Sequence, residues 1–345
     1  MASYLCNLWI KIFLFVIIPI QSYYDKRLKM IEYTIKRIFA AIPVLFGILL
    51  LTFLLLNVIP GDPARAVAGP RADEQTLARI RSEMELDKPL MTRFFSYSGK
   101  ILKGDFGNSI VTGRPIMTSF KEKFPVTLKL AVMAALISAV LGVAMGIISA
   151  VNKGGFIDKL STVMTVTGIS VPIFLAAIVI SYVFTVKIPI FASADTTDFS
   201  GLLPFILPAA TLGMRSAAFL ARIVRSGMIE VLNNDYIRTA KAKGLRKSRI
   251  LFSHALTNAL IPIITVIALD FSSYLNGSVI VETIFTLPGI GSFAMNAISQ
   301  RDYPVIQATI LCGAFIFIFI NLLTDLIYAW LNPQIRDEMS GKVSK

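Results

Sequence analysis

Six apolar stretches, each long enough to cross a membrane, leave this chain of 345 residues almost no choice of fold. A helix needs roughly 20 predominantly apolar residues to cross a hydrocarbon layer about 30 Å thick, because every backbone N–H and C=O must be satisfied within the segment. The stretches run from Phe39 to Val58, Thr127 to Val151, Ser161 to Val186, Leu202 to Arg225, Asn258 to Val281 and Val305 to Leu331. With 55% hydrophobic and 16% charged residues, the chain is too apolar to cover a soluble domain of ordinary surface. The predicted fold class is all-α: a polytopic membrane protein of six transmembrane helices. Arg215 and Arg222 interrupt the fourth stretch, but the Ala and Gly residues around them favour close helix packing, so it is kept as a span.

Residues before the first span form a separate case. Ile12 to Ile20 is apolar but about half the length a span requires, and no small-residue cleavage site follows it. Met30-Ile31-Glu32-Tyr33 reads as a natural amino terminus placed just ahead of a first span, so residues 1–29 are expected to be an extension set by start-site choice.

Charge gives the orientation. Lys153 and Lys159 lie between the second and third spans, and Arg238, Lys241, Lys243, Arg246, Lys247 and Arg249 between the fourth and fifth. The short loops on the other side are much less basic. Positive loops stay in the cytosol, so both termini are expected there, in a multi-pass protein of the cell (inner) membrane. By alternation the loop from Ile59 to Val126 is external. Thr76 to Met84 has helix-forming composition, and Gly104-Asp105-Phe106-Gly107 with Gly113-Arg114-Pro115 marks turns, so this loop is expected to be a small folded cap.

The formal charge of +13 raises the question of nucleic acid, but the excess sits at membrane edges, where anionic headgroups and topology account for it. No nucleic-acid partner is expected. Two cysteines, Cys6 and Cys312, and one histidine, His254, offer no metal spacing. No Gly-x-x-x-x-Gly-Lys-Ser/Thr run and no Gly-x-Ser-x-Gly elbow occurs, so neither nucleotide hydrolysis nor acyl transfer is expected of this chain. It must borrow its free energy.

The polar segment between the fourth and fifth spans is the most structured of the loops. Ile229 to Lys243 reads as one helix, with Ile229, Leu232, Tyr236 and Ala240 as an apolar stripe, and Gly244 ends it. Ser248 is placed to cap a second helix beginning at Arg249. In the spans themselves, Arg215 and Asp270 lie near the middle of the fourth and fifth. Intramembrane charges are expensive and usually paired, so the first expectation is an Arg215–Asp270 tie between two helices, and the second a shared water-lined translocation path in contact with solute. Arg222 and Arg225 are expected to snorkel.

Asp235-Tyr236-Ile237-Arg238-Thr239-Ala240-Lys241-Ala242-Lys243-Gly244, followed by His254 to Pro262, resembles the coupling motif of binding-protein-dependent ABC importer permeases. Ala240 and Gly244 match the general pattern of Glu-Ala-Ala, three residues and Gly; Arg238 and Thr239 replace Glu-Ala, as in the dipeptide, oligopeptide and nickel branch. The resemblance extends over roughly Met30 to Arg336, through Pro60-Gly61-Asp62-Pro63, Gly104 to Gly107 with Ser109, Val281 to Phe285, Leu287-Pro288-Gly289-Ile290-Gly291, Arg301-Asp302-Tyr303-Pro304 and Asn332-Pro333. It is closest to the first of that branch's two permease subunits.

The resemblance implies a type I (MetI-like) importer architecture. Residues 30–126 would hold the first helix and external loop, and 127–336 a five-helix permease core with a coupling loop at 226–257, before a cytosolic tail at 337–345. Asp235, Tyr236, Arg238, Thr239, Ala240, Lys241, Ala242, Lys243 and Gly244 would form a coupling helix that enters a groove of an ATPase. Glu282, Pro288, Gly289, Gly291, Arg301, Asp302 and Tyr303 would belong to an external gate or docking loop. The implied partners are a second homologous permease subunit, two ATP-binding subunits and an extracytoplasmic substrate-binding protein, with ATP and Mg on the ATPases and no cofactor here. The solute would be a dipeptide or oligopeptide, or alternatively nickel, glutathione or another small solute. An ion-driven secondary transporter is the more remote reading, since only Asp270 is a candidate ion ligand in the spans.

Overall fold

The computed structural model describes residues 30–58, 64, 73–83, 86–188, 199, 201–275 and 278–331. The extension at 1–29, Pro60 to Pro63, Asn332-Pro333 and the expected tail lie outside the described residues. The chain divides into a unit of residues 43–321 and a second of 1–42 with 322–345. Among the described residues the structure is helical, with an isolated bridge between Asn108 and Pro115 and no strand.

In chain order the helices are α1 (Met30–Val58), α2 (Glu74–Glu83), α3 (Leu90–Leu102), α4 (Ile116–Val151), α5 (Phe156–Ser170), α6 (Ile173–Ser181), α7 (Ile206–Leu232), α8 (Asp235–Ala242), α9 (Thr257–Leu275), α10 (Val279–Ile284), α11 (Ile290–Gln300) and α12 (Tyr303–Leu331). A π-helical turn, Tyr182–Lys187, continues α6, and a second, Ile250–Leu256, leads into α9. By length and composition α4, residues 203–232 and residues 303–324 can each cross a membrane uninterrupted, while α1 has an apolar run from Ile38 to Leu54.

Two expected spans are bent. The third breaks by 102° between α5 and α6. Pro172 forces it: the residue before a proline is driven out of the helical region, and Val171 is extended, at φ −74° and ψ 125°. Each limb is 15 residues long, counting the π turn, which at 1.5 Å per residue is about 22 Å and short of a full crossing. The fifth bends by 58° near Pro262, a proline that removes a helical N–H and crowds the preceding turn.

The centre of the larger unit is the α4–α7 pair, and glycines make it close. A Cβ on Gly146 would stand 2.5 Å from the Val224 Cβ, one on Gly142 2.8 Å from the Leu220 Cβ, and one on Gly213 2.7 Å from the Ala134 carbonyl oxygen. Small residues on facing helices let the backbones approach where lipid supplies no hydrophobic drive. Leu130, Ala131, Ala134, Ala209 and Leu212 fill the seam beside Phe205, Tyr274, Leu275, Val281 and Leu287. A second cluster, Leu220, Val224, Met228, Ala255, Ala259 and Ile263, joins α7 to α9.

The expected folded cap is present where it is described. The helix expected over 76–84 runs from Glu74 to Glu83. α3 packs on α1 through Phe94, whose ring lies 5.3 Å from that of Phe53 and 5.9 Å from that of Phe46. Residues 105–116 close on themselves: Ile116 N–H donates to the Gly107 carbonyl and Ser109 N–H to that of Arg114. Gly104, Gly107 and Gly113 take φ between 71° and 77°, which a side chain would oppose.

Candidate functional site

The polar segment after α7 folds as two elements where sequence pattern suggested one helix. α7 continues through Ile229 to Leu232, Asn233 and Asn234 turn the chain, and α8 begins at Asp235. Two consecutive asparagines favour this break, because their short amides compete with the backbone for hydrogen bonds. α8 is rooted by Ile237 and Ala240, which are buried with Ile250 against Leu232 and Leu245. Ile237 therefore takes the buried position expected of Tyr236, which is 43% exposed.

Gly244 ends α8 at φ +74°, and the Leu245 N–H closes onto the Ala240 carbonyl. The second helical run starts earlier than expected, at Lys247 with Arg246 extended before it, and Ser248 makes no cap. Tyr236 still has a positional role: its hydroxyl accepts from Asn258 Nδ2 at 2.9 Å, and the same amide donates to the His254 carbonyl. Asp235, Arg238, Thr239, Lys241, Ala242, Lys243 and Gly244 remain exposed. The result is a knuckle whose apolar side is used up internally and whose polar side is exposed.

A carboxylate that the sequence reading passed over holds the neighbouring corner. Asp158, in the first turn of α5, is 4% exposed. It accepts from Ser149 Oγ at 2.5 Å, from the Gly154 N–H at 2.8 Å, and from Arg225 Nε and Nη2 at 2.6 and 2.8 Å. Arg225 is thus engaged in a two-pronged pair rather than snorkelling, because a planar guanidinium matches a carboxylate edge. The signal was present in the acidic residue just after Gly154-Gly155, at the helix start that favours negative charge.

The motif residues expected at an external gate come together in two buried hubs. Glu282, fully buried on α10, accepts from Thr127 Oγ1 at 3.0 Å, from the Ser292 N–H at 2.9 Å and from the Gly291 N–H. Thr127 Oγ1 in turn accepts from the Ile290 N–H at 2.8 Å. The carboxylate and the threonine therefore cap the start of α11, where backbone donors are otherwise unpaired. Burial pushes the Glu282 carboxyl above the usual carboxylate range, while these hydrogen bonds and Lys123 act against that shift. Gly289 exists for this fit: a Cβ there would meet Glu282 Oε2 at 2.4 Å and Thr127 Oγ1 at 2.6 Å.

In the second hub Asp302, 4% exposed, accepts from Ser109 Oγ at 2.5 Å and from the Ile110 N–H at 3.3 Å. Arg301 is the left-handed cap of α11, at φ 57°, and points outward as an exposed residue. Of the expected gate or docking residues, Glu282, Gly289, Gly291 and Asp302 are buried, Pro288 and Tyr303 half-buried, and Arg301 exposed. The buried four hold the loops in shape and offer no surface of their own.

Arg215 and Asp270 do not form the expected tie: among the described residues no ion pair joins them. Arg215 is exposed on the single chain, and Asp270 Oδ2 is buried with no hydrogen-bond partner. Arg215 and Ser216 are its polar neighbours, and Tyr274, one turn beyond Asp270, donates to Ser216 Oγ. Ser216 and Tyr274 were not singled out from sequence, although a tyrosine four residues from an intramembrane aspartate lies on the same helix face.

Residues 142–337 match the family described as the binding-protein-dependent transport system inner membrane component, and residues 30–131 its N-terminal counterpart. The chain is 40% identical over 307 residues to the glutathione transport system permease protein GsiC of Escherichia coli K12, covering 89% of this chain and 99% of that one. It is 39% identical over the same length to the protein of that name in Salmonella typhimurium. Among solved structures it resembles an inward-facing MetNI methionine ABC transporter chain, with a TM-score of 0.50 at 15% identity, covering 63% of this chain and 97% of the other.

Proposed function

Since this chain belongs to the binding-protein-dependent transport inner-membrane component family, we propose that it is the permease through which an ATP-driven importer takes up short peptides, glutathione among them. As a permease it is a non-catalytic membrane subunit of an ABC importer with MetI-like architecture. Glutathione is favoured within the peptide class by the 40% identity to a glutathione permease along nearly its whole length. The branch assignment rests on the motifs of the coupling segment, and the first of the two permease positions on the resemblance over roughly Met30 to Arg336.

The knuckle of α8 carries the mechanism. Its buried Ile237 and Ala240 make it move with Leu232 and Ile250 as one piece, and its polar face, Asp235 to Gly244, is what an ATPase groove would receive. In this reading ATP and Mg bind on two partner ATPases, and closure of that pair pushes α8, so the spans exchange between inward-open and outward-open states. Two states biased from a distant site require such a physical link. A second, similar permease completes the pathway, and a binding protein delivers solute on the side where residues 86–115 and 286–302 lie. Both termini then face the cytosol.

The complete complex in proteoliposomes tests this. Uptake of labelled glutathione or a dipeptide should require ATP and the binding protein together. Uptake driven by an ion gradient in the absence of nucleotide would overturn the reading.

A further inference from the structure

We propose that Arg215, Asp270 and Arg222 form a charge-reading station inside the permease, for solutes that carry both an ammonium group and more than one carboxylate. This rests on the peptide reading above and adds to it where, and by which charges, the passing solute is recognised.

The first ground is the stripe on α7. Arg215 and Arg222 are seven residues apart, close to two full turns, and therefore lie on one helix face about 10 Å apart. Both are exposed on the single chain, as are Phe219 between them and Ser226 beyond, whereas the opposite face, with Ala217, Leu220, Ala221 and Val224, is buried. A guanidinium in mid-span does not face hydrocarbon at bearable cost; it faces water or protein. In the proposal this exposed stripe lines the aqueous path.

The second ground is Asp270. Its Oδ2 is buried and has no donor, although Arg215 is near enough to act on it electrostatically. An unsatisfied carboxylate oxygen is costly to hold, and a donor brought in from outside this chain would offset that cost. Ser216 accepts from the Tyr274 hydroxyl and has its own O–H to offer the Asp270 carboxylate, yet Oδ2 is still left without a donor. For Oδ2 the cationic donors in reach of such a path are an ammonium on the solute and Arg215 itself.

Charge complementarity decides between the solutes. Two guanidiniums and one carboxylate leave the station net positive, so it suits a short peptide with one ammonium and an excess of carboxylates better than a neutral or cationic one. The ammonium would be taken by Asp270, and the carboxylates by Arg215 and Arg222.

The experiment uses the full complex in proteoliposomes with four probes: glutathione, trialanine, N-acetyl-trialanine and trialanine amide. Arg215→Gln should lower uptake of glutathione and trialanine at least about tenfold, the factor expected for a lost charge contact, while changing the amide little. Asp270→Asn should penalise the free-amine probes relative to the acetylated one, and Arg215→Lys should restore part of the loss. A uniform fall for every probe would overturn the station and point to Arg215 pairing with the second permease. Recovery of all probes in the Arg215→Leu/Asp270→Leu double variant would also overturn it, as a pair made inside this chain. If Arg215→Gln fails to assemble, Arg222→Gln gives the same readout. Absence of uptake of any peptide by the wild-type complex would instead count against the peptide reading itself.

Discussion

At the scale of single residues, the glycines and carboxylates of the gate motifs have a definite structural reason. Gly289→Ala drives a methyl into the Glu282 carboxylate and Thr127 hydroxyl, and neither group can move without losing its own partners. A cost of about 1–3 kcal/mol is expected, as for overpacking elsewhere, readable as a lower unfolding midpoint in detergent. Glu282→Gln probes the charge. Because burial raises the carboxyl above its ordinary value, the penalty for ionising it is absent at low pH and grows as pH climbs past that value. Wild type should therefore hold its greatest advantage over Glu282→Gln in acid, and a pH series of unfolding midpoints checks the sign. The family resemblance located these residues and implied a gate or docking surface. Their burial was not legible, because the partner of Glu282 lies 155 positions away and that of Asp302 lies 193 away.

Among elements, the spans divide into those legible from apolar length and those reshaped by proline. α12 runs close to the stretch read from hydropathy, while α4 starts at Ile116, ahead of the expected Thr127, and α7 continues past Arg225 to Leu232. The third and fifth stretches are equally apolar, yet Pro172 and Pro262 bend them; length alone carries no information about direction. The α4–α7 seam depends on its glycines in the same local way. Gly146→Val should separate these helices and yield aggregated or poorly monodisperse protein on size-exclusion chromatography, because even a single added carbon lies 2.5 Å from Val224. Gly99→Ala in α3 is the contrast. With nothing within 4 Å of the added methyl, it should raise stability by up to about 1 kcal/mol, the helix-propensity difference. A loss at Gly99 equal to that at Gly146 would mean the seam is not special.

For the whole molecule, the question is whether force entering at α8 reaches the spans. Gly244 holds a φ of +74° that proline, fixed near −65°, is unable to adopt. Gly244→Pro should break the closure of Leu245 onto Ala240 and tilt α8 away from Ile250. In the assembled complex, uptake should fall by about tenfold or more while ATP hydrolysis persists and loses its dependence on solute. Coupled uptake at the wild-type rate would exclude α8 as the link. The coupling segment was recognisable from its residues, but its division at Asn233-Asn234 and its anchoring through Ile237 were not, because periodicity runs smoothly across the break. The mid-span charges were equally visible, and their failure to pair was not, since spacing along a chain says nothing about distance across a bundle.

The two-pronged grip of Arg225 on Asp158 has a mechanical corollary. Arg225 lies one and a half to two turns before the end of α7, and Asp158 fixes the corner where α4 hands over to α5. A clasp with four donors neither slides nor rotates, so a tug at the foot of α7 tows that corner along with it.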